Sequence, residues 1–154
     1  LITSNAALQW FELPERAIGA YKNALKDKGA LTFSVFGPST FKELESVLRK
    51  VLSGEGLSVA SSGFLSKETL ERTLENFFRK ISVKEVLIKE EYPSLAGLLE
   101  KIKYTGARGS SFDPTSGVRF VWSRRLLKIA EDAYEKECGR IVATYQIFLC
   151  KALR

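Results

Sequence analysis

Two β-type runs set apart by helical patterns constrain this chain most. Ala30-Leu31-Thr32-Phe33-Ser34-Val35-Phe36 is closed by Gly37-Pro38, and Ile141 to Ala152 is a twelve-residue stretch dominated by β-branched, aromatic and other apolar side chains. Runs of this kind read as buried strands. Between them, apolar residues recur with helical spacing. From Pro14 to Asp27 they are Ala17, Ile18, Tyr21, Ala24 and Leu25, with Pro14 suited to a first turn and Gly29 to a stop. Thr40-Phe41-Lys42-Glu43 has the form of a capping box opening a helix with Phe41, Leu44, Val47, Leu48 and Val51 on one face. The alternation strand, helix, strand, helix predicts an α/β sheet.

The rest of the chain continues in kind. Leu1 to Ser4 reads as a strand end, Asn5 to Gln9 as a loop, and Ser53 to Ser66 as a polar surface loop. A helix is predicted from Lys67 with Leu70, Leu74, Phe77 and Phe78 inward, and a strand with charged exposed positions over Lys80 to Tyr92. Ser94 caps a helix carrying Leu95, Leu98, Leu99 and Ile102, with Gly106 just past its end. Gly109 to Gly117 reads as a loop and Ser123 to Glu137 as a last helix. One domain over residues 1–154 is predicted. The absence of Met from all 154 residues, with the first residue already inside a strand pattern, predicts that these residues are part of a longer protein.

Composition narrows the chemistry. With no histidine, nucleophiles activated by imidazole and His-rich zinc sites drop out. Cys138 and Cys150 stand apart without CxxC spacing and read as structural thiols. No apolar run approaches the ~20 residues of a membrane span, so no membrane and a cytoplasmic location are predicted. The net charge of +6 and pI of 9.4 suit an acidic partner. Lys and Arg are nevertheless spread along the chain with no RNP-type aromatic motif, and no nucleic acid is predicted.

In open α/β sheets ligands bind beyond the carboxyl ends of the strands, which singles out Ser4 to Trp10 and Phe36 to Thr40. Asn5 and Gln9 can hydrogen-bond a ligand, while Trp10 and Phe36 offer flat apolar walls; the alternative makes Asn5 a turn residue and Trp10 core. Gly106-Ala107-Arg108-Gly109-Ser110-Ser111 lacks the Gly-Lys-Ser/Thr ending of a phosphate loop and reads as a flexible cap. Ser123-Arg124-Arg125 opens a helix where a guanidinium could grip a carboxylate or phosphate, or simply face solvent.

Ser4-Asn5-Ala6-Ala7-Leu8-Gln9-Trp10, the segment Phe33 to Leu44 with its Phe-Gly-Pro-Ser-Thr-Phe-Lys-Glu core, and Ala143-Thr144-Tyr145 together resemble the malonyl-acyl-carrier-protein O-methyltransferases of biotin synthesis. Ile102 to Ala107 and Ser123-Arg124 fall where that family has similar residues, so the resemblance covers essentially the whole chain. It implies the C-terminal part of a Rossmann-like class I methyltransferase sheet, strands four to seven with flanking helices. Leu1 to Ser4 would be the fourth strand, Leu31 to Phe36 the fifth, and Ile141 to Ala152 the last. The glycine-rich loop for S-adenosylmethionine and the acid that holds its ribose have no counterpart in these residues. The resemblance further implies Ser4, Asn5 and Gln9 toward the cofactor, Trp10 beside donor or acceptor, Phe36 and Thr40 at the lip, and Arg124 for a carboxylate or phosphopantetheine. Its partner would be malonyl-acyl-carrier protein or malonyl-coenzyme A, and the chain alone is expected to be inactive and not to bind the cofactor. A second reading is a stand-alone module without catalysis, binding an acyl-carrier protein or associating with itself through the exposed first strand.

Overall fold

The computed structural model describes residues 1–51, 63–104 and 122–154, with the side chains of Trp10 and Tyr104 outside the description. Four strands, β1 (Ile2–Asn5), β2 (Ala30–Phe36), β3 (Lys80–Tyr92) and β4 (Ile141–Leu153), form one sheet in the order β1-β2-β4-β3. β1 runs parallel to β2, with Asn5 opposite Ser34, and β4 runs antiparallel to β2, from Ala30 opposite Leu153 to Phe36 opposite Ile147. The helices are α1 (Pro14–Ala24), α2 (Lys42–Val51), α3 (Lys67–Glu75), α4 (Leu95–Tyr104) and α5 (Arg124–Cys138). This is the predicted α/β class, and β3 keeps its predicted bounds.

The chain divides into two compact units, the first comprising residues 1–38, 64–88 and 146–154. β2 alternates between half-buried and buried along its length, and its inward Leu31, Phe33 and Val35 join Leu8, Ile18, Leu25, Leu70, Leu74, Phe78 and Phe148 in one apolar cluster. At roughly 25 cal/mol per Å2 of apolar surface removed from water, each such side chain contributes on the order of 1.5–3 kcal/mol. α3 begins where Ser66 Oγ accepts from Thr69 N at 3.2 Å.

The second unit comprises residues 39–63 and 89–145. Here α2 and α5 are tied by Ser46 Oγ donating to Glu137 at 2.6 Å and by a Lys50–Glu137 ion pair at 2.9 Å. The Leu95 N–H at the start of α4 donates to Glu131 on α5 at 2.8 Å, a carboxylate at a helix N-terminus. The Tyr134 hydroxyl donates to the Val142 carbonyl, and Phe41 meets Tyr145 edge to face at 5.1 Å.

Local details of the turns differ from expectation or add to it. α1 ends at Ala24, and the left-handed residue of the following turn is Lys28 at φ 61°, with Gly29 N bonded to Lys26 O at 2.8 Å. α2 starts at Lys42, and both Glu43 oxygens accept from Thr144, its N–H at 3.0 Å and its hydroxyl at 2.5 Å. Phe41 takes the turn into the helix at φ 61°, its N–H donating to Thr144 O at 2.7 Å. Ser94 caps α4 as predicted, Ser123 caps α5 from just outside it, and Gly139 at φ 73° closes α5 one residue later than predicted. Gly106, the Gly106-to-Ser111 run, the Gly109-to-Gly117 loop and most of the Ser53-to-Ser66 loop lie outside the described residues.

Candidate functional site

Because β1 and β2 are parallel, their carboxyl ends open in the same direction, and in the first unit the polar residues gather there. Asn5, the last residue of β1, is exposed, and its Oδ1 accepts from Ser34 Oγ at 2.5 Å. Ser34 in turn accepts from Ala6 N, through its hydroxyl at 3.1 Å and its carbonyl at 3.0 Å. One serine thus fixes the Asn5 amide with its NH2 group turned from Ser34, and holds the turn beyond. Ala6 sits at φ 46°, a left-handed conformation that costs a residue with a Cβ roughly 1–2 kcal/mol.

That turn leads into a 3-10 turn over Leu8–Trp10, anchored by buried Leu8. Gln9 Nε2 donates to Ala6 O at 2.6 Å, while Gln9 Oε1 is buried with no hydrogen-bond partner among the described residues. A buried acceptor without a donor costs about 1–3 kcal/mol, so this amide is suited to a ligand N–H or O–H. A hollow of ≈ 330 Å3 lies along the two strands, lined by Thr3, Ser4, Asn5, Thr32, Phe33, Ser34, Leu149 and Cys150. Ser4 and Asn5 therefore share one concavity. Phe36 ends β2 half-buried, its ring stacked on Phe64 at 6.3 Å.

Thr40 and Arg124 belong to the second unit, where Thr40 is wholly buried and Arg124 is the exposed first residue of α5, behind Ser123, which accepts from Leu126 N at 3.1 Å. Trp10 ends the 3-10 turn, with its side chain outside the description. Sequence reasoning missed Ser34. A serine inside an apolar run was the available signal, but only the parallel register places it beside Asn5.

Burial pushes the Cys150 thiol up to about 12, with Glu71 adding to the shift. Burial, then neighbouring Glu137 and Glu43, raises Cys138 as well, so neither thiol is primed as a nucleophile. In the second unit the Tyr92 hydroxyl donates to Glu90 at 2.5 Å and is 2.6 Å from the Tyr145 hydroxyl. Burial first and these partners next hold Tyr92 far above the ordinary phenol range. No cluster of three metal-ligating side chains occurs among the described residues, and no described helix is long and apolar enough to cross a membrane.

No protein-family model matches the sequence. Curated relatives do. The malonyl-[acyl-carrier protein] O-methyltransferase of Paenibacillus sp. (strain JDR-2) is 34% identical over 99% of this chain and 56% of its own length. That of Halalkalibacterium halodurans is 31% identical over 99% and 56%, and that of Methylococcus capsulatus 32% over 96% and 52%. The chain spans a little over half the length of these relatives. Among solved structures, the YcgJ protein from Bacillus subtilis superposes with a TM-score of 0.52 at 11% identity, covering 99% of this chain and 62% of that one, a likeness of fold. The β1-β2-β4-β3 sheet with its flanking helices is a partial Rossmann-like fold. Along its whole length the chain is thus homologous to part of the malonyl-[acyl-carrier protein] O-methyltransferases.

Proposed function

We propose that the chain is part of an S-adenosylmethionine-dependent O-methyltransferase acting on the free carboxylate of a malonyl thioester, carried by acyl-carrier protein or coenzyme A, in biotin synthesis. The kinship over 99% of the chain is the observation that carries this reading. The polar end of β1 supports it. A carboxylate is ionised at neutral pH and needs no base, which suits a chain without histidine. What such a site must supply is alignment and exclusion of water.

Bound S-adenosylmethionine would supply an electrophilic methyl group. Ser4 and Asn5 offer hydroxyl and amide groups from one hollow, and the buried Gln9 Oε1, without a hydrogen-bond partner among the described residues, offers an acceptor for a ligand donor. These residues fit one side of a polar cofactor. Trp10 and Phe36 are assigned as apolar walls, and Arg124, exposed on the second unit, as a cation for a carboxylate or the carrier's phosphopantetheine, while wholly buried Thr40 is assigned no ligand contact. The net charge of +6 favours an acidic carrier, with docking that weakens as salt rises.

Two measurements test the reading. Calorimetry on the isolated chain should show no S-adenosylmethionine binding at micromolar concentration, since the glycine-rich loop has no counterpart in its sequence. Micromolar binding would overturn the assignment of only part of the cofactor site to these residues. Exchanging this chain for its matching segment in the Paenibacillus relative should preserve methyl transfer to malonyl-acyl-carrier protein. Asn5→Ala or Gln9→Ala in that hybrid should lower kcat/KM by roughly 10–100-fold, the effect of losing one well-placed hydrogen bond. A hybrid that folds but methylates only other acids would refute the acceptor.

A further inference from the structure

β3 lies at the outer edge of the sheet, with no described strand beyond it, and over 13 residues it offers backbone groups to another strand. From Lys84 to Glu91 every residue except Val86 is exposed, including the large apolar Leu87 and Ile88. The sequence of this segment, Lys84-Glu85-Val86-Leu87-Ile88-Lys89-Glu90, is complementary to itself when reversed. With Leu87 facing Leu87 across a two-fold axis, Val86 faces Ile88, Lys84 faces Glu90 and Glu85 faces Lys89.

We propose that a second copy of this chain docks antiparallel on the β3 edge with its dyad at Leu87. Each of the four charged residues then meets an opposite charge, and the apolar residues form the centre. A slip of one residue places Lys84 opposite Lys89; a slip the other way places Glu85 opposite Glu90. Like charges directly opposed are destabilising, so the charge order disfavours a slip of one residue in either direction, and only the Leu87-centred register pairs all four charges. Glu85 also accepts from Gln146 Nε2 at 2.7 Å and Glu90 from Tyr92, each through one oxygen, leaving the other for the partner's lysine. The arrangement is isologous and closed, so it ends at a dimer. It uses the opposite edge of the sheet from β1.

Sedimentation velocity on the purified chain tests this. The expected result is a monomer–dimer equilibrium with Kd roughly in the tens of micromolar, weaker at high salt. Lys84→Glu should weaken it roughly tenfold or more, because two symmetry-related pairs become Glu–Glu. Lys84→Glu with Glu90→Lys should restore the dimer to within about threefold of the original, since the charges are exchanged and not removed. Leu87→Lys, which sets two ammonium groups on the axis, should abolish it at accessible concentrations. A chain that stays monomeric at roughly ten times that concentration, or a dimer indifferent to these substitutions, would overturn the proposal.

Discussion

Glu43 on α2 is the side chain whose loss should cost the second unit most for its size. Its two oxygens accept from the Thr144 N–H at 3.0 Å and the Thr144 hydroxyl at 2.5 Å, and Thr144 is 1% exposed. Hydrogen bonds to a charged group are worth about 1.5–3 kcal/mol, and a buried donor left without a partner costs about 1–3 kcal/mol. Glu43 is itself half-buried, so water can reach part of the gap that Glu43→Ala leaves. We therefore expect a loss of about 2–4 kcal/mol, or a fall in Tm of roughly 5–15 °C for a chain of this size. Glu45→Ala, two residues along the same helix, is the control. It removes an i,i+4 pair with an Arg49 side chain that is 67% exposed, worth about 0.5 kcal/mol, and changes helix propensity equally. Calorimetric melting of the two variants side by side, with amide exchange at Thr144, is the assay. If Glu43→Ala melts within about 2 °C of Glu45→Ala, or leaves Thr144 protection intact, the carboxylate does not tie α2 to β4.

Two further outcomes follow from burial. Cys150 is neutral in the folded chain up to about pH 12 but ionises near 9 when unfolded. Its contribution is complete below pH 9 and is lost as pH rises from there toward 12. Alkaline denaturation should therefore be shallower in Cys150→Ala than in the parent over that window, and in the parent Ellman's reagent should modify half-buried Cys138 well before Cys150. Gly37→Ala would place a Cβ 2.5 Å from Gln146 Oε1 and 2.7 Å from the buried Phe148 ring. Urea unfolding should show about 2 kcal/mol or more of destabilisation with an unchanged m value.

The elements were legible where pattern and burial coincide. β2 alternates because one of its faces meets the core, and its residues announce it; α5 was legible to within one residue at each end, over Ser123 to Glu137 against Arg124–Cys138. What stayed hidden depends on distant partners. Thr40-Phe41-Lys42-Glu43 has the local marks of a capping box, but nothing nearby announces that Thr144, 101 residues further on, donates to the same carboxylate. Lys28 takes a left-handed turn that its neighbour Gly29 would adopt more cheaply, a choice no local rule anticipates. At the candidate site, Asn5 and Gln9 were visible as polar groups after a strand. Ser34, which orients Asn5, became visible only when strand register set residues 29 apart side by side.

β4 follows β1, β2 and β3 in the chain yet stands between β2 and β3 in the sheet. Until Ile141–Leu153 has been synthesised, β2 and β3 each lack the neighbour they finally share. A nascent or prematurely ended chain would carry two open strand edges, one of them the apolar Ala30–Phe36, and such edges recruit other chains. The sheet is closed by contacts more than a hundred residues apart, the pairing of Ala30 with Leu153 among them. Topology of this kind slows folding, because loop closure must precede the contacts that stabilise it. Yield of soluble protein should therefore depend on protection during synthesis more steeply than the stability of the finished fold suggests.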